Sequence, residues 1–233
     1  MIAIHQSQFL SWLPYWYKAL KSDTFVVLDD VQFQKNGVQN RNQIKTPQGA
    51  HWVTMPVSVS LGDAINEIRI ADLSKYSDLE KTLRGNYSRA PFFKEVYETL
   101  EVVFQKKIAN LHALNDQLFY AMLQLMGVSC NVKYSSQVSP TQAKGDLVLE
   151  IIQACGEKEY VSGPGALGYM DLDKFKRAGI QVWVSKFHYV EYPQLWNRRV
   201  GFVPHLSVLD LLFNYQDRAR DYIMENGNIE RVV

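Results

Sequence analysis

The first thirty residues decide the fold of this chain, and they read MIAIHQSQFLSWLPYWYKALKSDTFVVLDD (1–30). Residues 1–4 form a short apolar run, which is typical of a buried strand. A helix is expected over 11–20, because Ser11 can cap its N-terminus and Pro14 is tolerated in the first turn of a helix. A second apolar run at 25–28 is rich in β-forming residues. The order strand, helix, strand predicts a parallel βαβ unit with a right-handed crossover.

The middle of the chain departs from this alternation. Extended runs at 51–57 and 65–70 flank a glycine-containing turn, which predicts an antiparallel pair of strands. Apolar residues at helical spacing follow, and they predict helices over 73–86, 91–105 and 110–126. The segment therefore has a different organisation from the βαβ unit that precedes it.

Strands and helices alternate again from residue 131 onward. Strands are predicted over 131–135, 160–162 and 180–184, and helices over 145–155 and 171–178 lie between them. This order is typical of an α/β fold whose sheet is mainly parallel.

The C-terminal helix is expected to begin at Ser207, where Ser207 and Asp210 resemble a capping box. Together these elements predict a single α/β domain over residues 1–233, with a largely parallel sheet and Rossmann-like layering. An antiparallel excursion and a helical insert at about 74–126 interrupt that sheet.

The composition limits the class of protein. Of the 233 residues, 47% are hydrophobic and 21% are charged, which is typical of a globular chain. Basic residues (25) nearly balance acidic ones (24), and this argues against a broad basic face for nucleic acid. We expect no membrane span, because no apolar run approaches about 20 residues. The chain begins without a basic leader, and we expect a cytoplasmic protein with free thiols at Cys130 and Cys155.

The turn after the first predicted strand is the first candidate site, with His5, Gln6 and Gln8. Ligands of open α/β sheets bind beyond the carboxyl ends of strands, so these side chains are well placed. His5 can act as an acid, a base or a phosphate partner. The alternative is a structural histidine at a strand end.

A second polar group follows the strand at 25–28. Asp29 and Asp30 could bind Mg²⁺ or orient a hydroxyl or amine, and they could equally cap the next turn. Arg41 offers a bidentate grip on phosphate or carboxylate. The other polar residues of this group that we expect to bind substrate are Gln32, Asn40 and Asn42. The alternative is a surface loop held by side-chain hydrogen bonds.

The glycine-rich turn at 162–169 lies between a predicted strand and a helix. Its candidate binding residues are Ser162, Gly163, Gly165 and Tyr169. Backbone amides in such a turn favour an anion, whereas a purely structural turn would use glycine for a positive φ. The segment lacks the Gly-Lys-Ser/Thr of a P-loop.

A fourth group follows the last predicted strand, with His188 as a candidate base and Tyr192 and Gln194 as candidate substrate ligands. The alternative for His188 is a loop position without a task. We assign no role to His51 or His112. The spacing of the histidines does not match a zinc motif, so no metal site is predicted.

Several of these motifs together resemble the WbqC-like protein family. They are QFLSWLPYW (8–16), LDDVQF (28–33), QNRNQIK (39–45), YVSG (160–163) and LSVLDLLFN (206–214). The likeness runs through nearly the whole chain in the same order. It implies a role associated with bacterial surface-polysaccharide (O-antigen, lipopolysaccharide) gene clusters, and it supplies no catalytic residue. The layout of the opening segment is also similar to nucleotidylyltransferase-type enzymes such as pantothenate synthetase, which bind ATP phosphates in the first turn.

The leading hypothesis is a transferase that moves an acyl or aminoacyl group from an activated donor to a nucleotide-linked amino sugar. His5 or His188 would take the amine proton, Asp29 or Asp30 would orient the acceptor, and Arg41 with the 162–165 turn would hold an anion. The alternatives are an ATP-dependent ligase or adenylyltransferase, for which ATP and Mg²⁺ would be cofactors, and a non-catalytic glycan- or partner-binding protein. The enzyme hypotheses require His5, Asp30, Arg41 and Ser162 to converge in space.

Overall fold

The computed structural model describes the backbone of residues 1–233 and every side chain except that of Lys144. The strands are β1 (Ile2–Gln6), β2 (Thr24–Leu28), β3 (Arg41–Thr46), β4 (Gly49–Thr54), β5 (Val57–Ser58), β6 (Arg69–Ile70), β7 (Val132–Tyr134), β8 (Glu159–Ser162), β9 (Gln181–Phe187) and β10 (Gly227–Arg231). The helices are α1 (Leu13–Lys21), α2 (Lys75–Tyr87), α3 (Phe93–Gln105), α4 (Leu111–Leu125), α5 (Ser135–Val138), α6 (Lys144–Ala154), α7 (Leu172–Arg177), α8 (Asn197–Val200), α9 (Val208–Tyr215) and α10 (Ala219–Glu225). Short 3₁₀ turns occupy Ile65–Glu67, Pro164–Gly168 and Gln216–Arg218.

The main sheet has the strand order β10-β9-β8-β1-β2-β7. Its neighbouring strands are parallel, apart from the antiparallel pair of β9 and β10. The predicted α/β fold with a largely parallel sheet is therefore confirmed. Strand β1 lies between β2 and β8, so later strands are added to the sheet on both sides of it. That arrangement makes the carboxyl end of β1 a topological switch point, where open α/β sheets place their ligands.

The opening βαβ unit forms as predicted. β1 and β2 pair in parallel from Ile2 opposite Thr24 to Gln6 opposite Leu28. Pro14 occupies the first turn of α1, but Ser11 does not cap that helix. The Ser11 carbonyl instead accepts a hydrogen bond from the backbone of Val208 at 2.9 Å. The expected cap is wrong because this contact ties the start of α1 to the start of α9.

Both faces of the sheet are covered by apolar side chains, as a parallel sheet requires. On one face Trp16 of α1 stacks on Phe119 of α4 at 4.6 Å between ring centroids, and Phe119 stacks on Phe25 of β2. The other face packs against α6 and α7, with Ile151 and Phe175 buried against it. The helices α2 to α4 correspond to the predicted insert.

The antiparallel segments differ in part from the prediction. β5 pairs with β6, as the extended runs suggested, but β4 pairs with β3 in a hairpin that turns at 46–49. No strand was predicted over residues 41–46, where the alternatives were a substrate-binding segment and a surface loop, and these residues form β3. The nearest extended partner along the chain is the one with the lowest loop-closure cost, and Gly49 supplies the positive φ of +105° that the turn requires.

Asp210 and Lys45 lie in a buried polar network that joins the β3–β4 hairpin to α9. Asp210 accepts hydrogen bonds from the hydroxyls of Tyr87 and Tyr192 and from Gln194 Nε2, each at 2.8 Å. Lys45 Nζ donates to three oxygens: Gln194 Oε1 (2.7 Å), Asn197 Oδ1 (2.5 Å) and the Gly201 carbonyl (2.6 Å). Every donor of Lys45 Nζ is thus paired, which is typical of a structural network.

The expected capping box at the start of α9 is only half right. Ser207 Oγ accepts from the Leu209 N–H at 3.2 Å, so it caps the helix. Asp210 does not reach back to the cap, because its carboxylate is committed to the buried tyrosines.

Replacing Asp210 with asparagine should lower the free energy of unfolding by about 2–4 kcal/mol, because an amide N–H would then face groups that must donate. The matched control is Asp221→Asn on the exposed face of α10, where a surface ion pair contributes about 0–1 kcal/mol. Urea denaturation of both variants measures the difference. Equal small losses would show that the network does not stabilise the fold.

Candidate functional site

The carboxyl ends of three neighbouring strands bring the first predicted residues together. His5 lies near the end of β1, Asp29 directly follows β2, and Ser162 ends β8. Parallel pairing places these ends on one edge of the sheet. We call this region the strand-end site, defined by His5, Ser7, Gln8, Lys18, Asn115 and Gly163.

His5 has one ring nitrogen engaged and one available. Its Nδ1 lies 3.3 Å from both the Gln6 carbonyl oxygen and Gln8 Nε2, and its ring meets Tyr15 edge-on at 4.8 Å. Burial lowers the pKa of His5 well below its usual value, and the nearby charge of Lys18 lowers it further. Nδ1 either donates to the Gln6 carbonyl or accepts from Gln8 Nε2, according to which ring nitrogen carries the proton. In the tautomer with the proton on Nδ1, Nε2 has a lone pair that can accept a proton.

A small polar cavity of about 10 Å³ lies next to His5, with room for about one water molecule. It is lined by Ser7, Gln8, Tyr15, Val27, His112, Asn115, Asp116 and Phe119. Two buried acceptors on its wall, Gln8 Oε1 and Asn115 Oδ1, find no hydrogen-bond donor among the described residues. Unpaired buried acceptors are costly, so this cavity is suited to a polar guest.

A hydroxyl, an imidazole and a carboxylate form a chain behind this cavity. Ser7 Oγ lies 3.2 Å from His112 Nδ1, and His112 Nε2 lies 3.9 Å from Asp29 Oδ2. This is the order of groups in an acyl-transfer triad. Ser7 is only 2% exposed, and the adjoining cavity has room for a water molecule but not for an acyl group. The three side chains therefore hold the turn after β1 in place, and Ser7 does not attack a substrate in this conformation.

Sequence reasoning missed Ser7, His112 and Asn115, since they meet only through the packing of α4 on the sheet. Asn115 Nδ2 donates to Ser7 Oγ at 3.2 Å and to the Gln39 carbonyl at 2.9 Å. The available signal was polarity on a buried helix face, because His112 and Asn115 are three residues apart on α4.

The two predicted carboxylates are held by other parts of the chain. Asp29 accepts from Ser136 N–H (3.0 Å) and Ser136 Oγ (2.7 Å), and Asp30 accepts from Ser135 Oγ. Burial opposes ionisation of Asp29, but the hydrogen bonds from Ser136 outweigh it and lower its pKa. These contacts fasten the end of β2 to the start of α5.

The Asn40-Arg41-Asn42 run does not join the strand-end site, so the predicted convergence holds only in part. Arg41 Nη2 donates to the Asn36 carbonyl at 2.5 Å, and its guanidinium lies over the Trp52 ring at 4.6 Å. Asn40 and Asn42 donate to the Met55 and Leu10 carbonyls at 2.9 and 2.8 Å. Their amides support backbone, since Leu10 adopts a positive φ of 45°.

The glycine-rich turn after β8 does lie at the strand-end site. Gly163 has φ −85°, and Gly163 and Gly165 are both outside the set of positive-φ glycines. The structural explanation from positive φ is therefore wrong for these glycines. A Cβ added at Gly163 would lie 3.5 Å from Lys18 Nζ, which shows that the lysine reaches this turn from α1.

Lys18 is the largest omission of the sequence analysis. It is 5% exposed, and among the described residues its Nζ has no hydrogen-bond or ion-pair partner. Burial lowers its pKa to about 7. The available signal was the position of Lys18 in α1. It lies three residues after Tyr15 and two after Trp16, and these buried neighbours place it among the buried positions of the helix.

The remaining predicted residues lie apart from this site. Tyr192 and Gln194 belong to the Asp210 network described above. His188 and Gln32 are exposed. Tyr169 is also exposed, beyond the 3₁₀ turn. Gln6 supports the β1 turn, since its Oε1 accepts from Gln39 Nε2 at 2.8 Å.

An aromatic group flanks the start of α1 on the same edge of the sheet. His205 lies 4.3 Å from the Tyr189 ring and 6.3 Å from the Trp12 ring, measured between centroids. His205 adopts a positive φ of 62°, which is uncommon for a residue with a side chain. Such rings can stack on the apolar face of a sugar.

A much larger groove lies elsewhere on the molecule. It has a volume of about 830 Å³ and is lined by side chains of α3 and α4, among them Glu98, Val102 and Tyr120. None of the strand-end residues lines it. Size alone therefore does not identify the site, and the unpaired polar groups near His5 are the stronger indication.

No three His, Cys, Asp or Glu side chains that the structure describes are grouped so as to hold a metal ion. Among the described helices, none has the length and apolar character needed to cross a bilayer.

Comparison with known proteins gives two matches. The model of the WbqC-like protein family matches residues 6–222. A protein of Mycobacterium tuberculosis (strain ATCC 25618 / H37Rv), described as uncharacterized protein Rv1507c, is 34% identical over 226 residues, which cover 95% of this chain and 96% of the relative. No solved structure matches the chain.

Replacing Lys18 with methionine should raise the free energy of unfolding at pH 6. This gain should become smaller as the pH rises. An unfolded lysine keeps its proton up to about pH 10.5, whereas folded Lys18 loses it near pH 7. The unfolded chain binds more protons between those values, so the stability of the unmodified protein rises with pH across that window. The gain at pH 6 is at most about 5 kcal/mol, at about 1.4 kcal/mol per pKa unit.

Denaturation at pH 6, 8 and 10 measures this trend. The matched control is Lys21→Met, on the exposed next turn of the same helix. A gain that is independent of pH would contradict the buried, unpaired ammonium.

Proposed function

Because the chain belongs to the WbqC-like protein family, which suggests involvement in polysaccharide-related biosynthesis, we propose that it is a cytoplasmic transferase of polysaccharide precursor synthesis. It would move an acyl or aminoacyl group from an activated donor to the amine of a nucleotide-linked amino sugar. The observation that carries the proposal is the position of His5 beside unpaired polar groups at the switch point of the sheet.

The chemistry follows from the position of His5. The neutral amine of the sugar attacks the acyl carbonyl of the donor, a C–N bond forms, and the bond to the leaving group breaks with its electron pair. The amine becomes positively charged as it attacks, and it must lose a proton to give the amide. His5 Nε2 is the available acceptor for that proton, since Nδ1 is directed to the Gln6 carbonyl.

The surroundings of His5 support a sugar as the acceptor. Trp12, Tyr189 and His205 present aromatic rings near the start of α1, and sugar rings stack on such faces. Gln8 and Asn115 line the adjoining cavity, where their unpaired amide oxygens can accept from one bound water molecule. His188, the other predicted base, is exposed beyond β9, and we therefore assign proton transfer to His5.

The test is incubation of the purified protein with amino-sugar nucleotides and candidate acyl or aminoacyl donors, followed by mass spectrometry of the products. A product heavier than the acceptor by the acyl group supports transfer. Release of AMP or pyrophosphate when ATP is supplied would identify the ligase alternative instead. If no pair of donor and acceptor reacts and none binds, the proposal fails.

Replacing His5 with glutamine should lower kcat by about 10²–10⁴-fold, the range expected for loss of a general base. The melting temperature should stay within a few degrees, because glutamine can still donate to the Gln6 carbonyl. His51→Gln on exposed β4 is the matched control and should keep full activity. A loss of turnover in His188→Gln with full turnover in His5→Gln would transfer the role to His188.

A further inference from the structure

A buried lysine without a counter-charge lies at the switch point of the sheet. Lys18 is 5% exposed, and no carboxylate of the described residues is within ion-pair distance of its Nζ. The other buried lysine shows what a structural role looks like, since all three donors of Lys45 are paired with oxygens. Lys18 has no such partners, so its donors are free for a ligand.

The turn beside Lys18 leaves a vacant position for that ligand. Gly163 has ordinary extended backbone, with φ −85° and ψ 160°, so its conformation does not require glycine. The space that a side chain would fill at Gly163 lies 3.5 Å from Lys18 Nζ, and outside residues 162–164 no other heavy atom is within 4 Å of it. The absence of a side chain here keeps the approach to the ammonium open.

We propose that Lys18 binds an anionic oxygen of the substrate, from a phosphate or a carboxylate, in the space beside Gly163. This assignment rests on the proposed function only in taking the anion to be part of the substrate. It replaces Arg41, which lies over Trp52 and does not join the strand-end site. An anionic oxygen between β8 and the His5 turn would supply the negative charge that no carboxylate of the fold provides to Lys18.

Proton uptake is the signature of this contact. Burial lowers the pKa of Lys18 to about 7. The charge of Lys18 in turn lowers the pKa of His5 on β1. At pH 8 the amine is mostly neutral. An anion that binds against it favours the ammonium, so binding must draw in most of one proton.

The test is calorimetric titration of the full chain at pH 8 with sulfate and, separately, with acetate, in two buffers of different ionisation enthalpy. Neither anion titrates near pH 8, so any proton taken up is taken up by the protein. Uptake of most of one proton with sulfate identifies a phosphate site, and the same result with acetate identifies a carboxylate site. If neither anion binds at tens of millimolar, or if binding draws in no proton, the proposal is overturned.

Two pairs of variants attribute the signal to this position. Lys18→Met should weaken anion binding at least tenfold and abolish proton uptake, whereas Lys21→Met on the exposed turn should change neither. Gly163→Ala should weaken binding severalfold without altering the melting temperature, because its methyl group would fill the vacant space. Gly85→Ala on the exposed side of α2, which meets no atom within 4 Å, is its control. Unchanged binding in both Lys18→Met and Gly163→Ala would overturn the assignment, and the sulfate result is independent of whether acyl transfer occurs.

Discussion

Parallel pairing of β1 on both sides is the constraint on which the rest of this structure depends. Because β2 and β8 run alongside β1 in the same direction, the polar residues that follow all three strands must share one edge. The helices that cover the two faces leave that edge as the place where side chains from distant segments can meet. His5, Asp29 and Gly163 are brought together in this way, and Lys18 reaches them from the covering helix.

The Asp210–Lys45 network and the strand-end site are both buried and polar, but they differ in whether their polar atoms have hydrogen-bond partners. Around Asp210 and Lys45, every charged oxygen and ammonium hydrogen has a partner, and the network joins a hairpin to a helix. At the strand-end site, the enclosed amide oxygens of Gln8 and Asn115 lack partners among the described residues. Lys18, which is 5% exposed, makes no side-chain hydrogen bond or ion pair there either. A closed network lowers the energy of the fold, whereas an open one retains a cost that a bound ligand can remove.

The candidate site was only partly accessible from the sequence. His5, Gln8 and the 162–165 turn were found because polar residues directly after apolar strands are a local pattern. Arg41 was predicted to hold an anion, but it lies over Trp52 on a strand, beside asparagines whose amides donate to backbone carbonyls. Lys18 was overlooked because its neighbours Trp16 and Tyr17 indicate a helix packed on the sheet. Whether a lysine among them has a structural or a binding role depends on which groups face its ammonium in the folded protein.

The sequence by itself determined the parallel βαβ opening, the helical insert and the later alternation of strands and helices, but it did not indicate β3 or β10. These features rest on apolar periodicity and on turn residues, which act over a few positions of the chain. Only the tertiary structure decided that β3 pairs with β4, that Asp210 faces two tyrosines, and that Lys18 lies against Gly163. Those contacts join residues far apart along the chain, and their energies depend on burial, which no local pattern specifies.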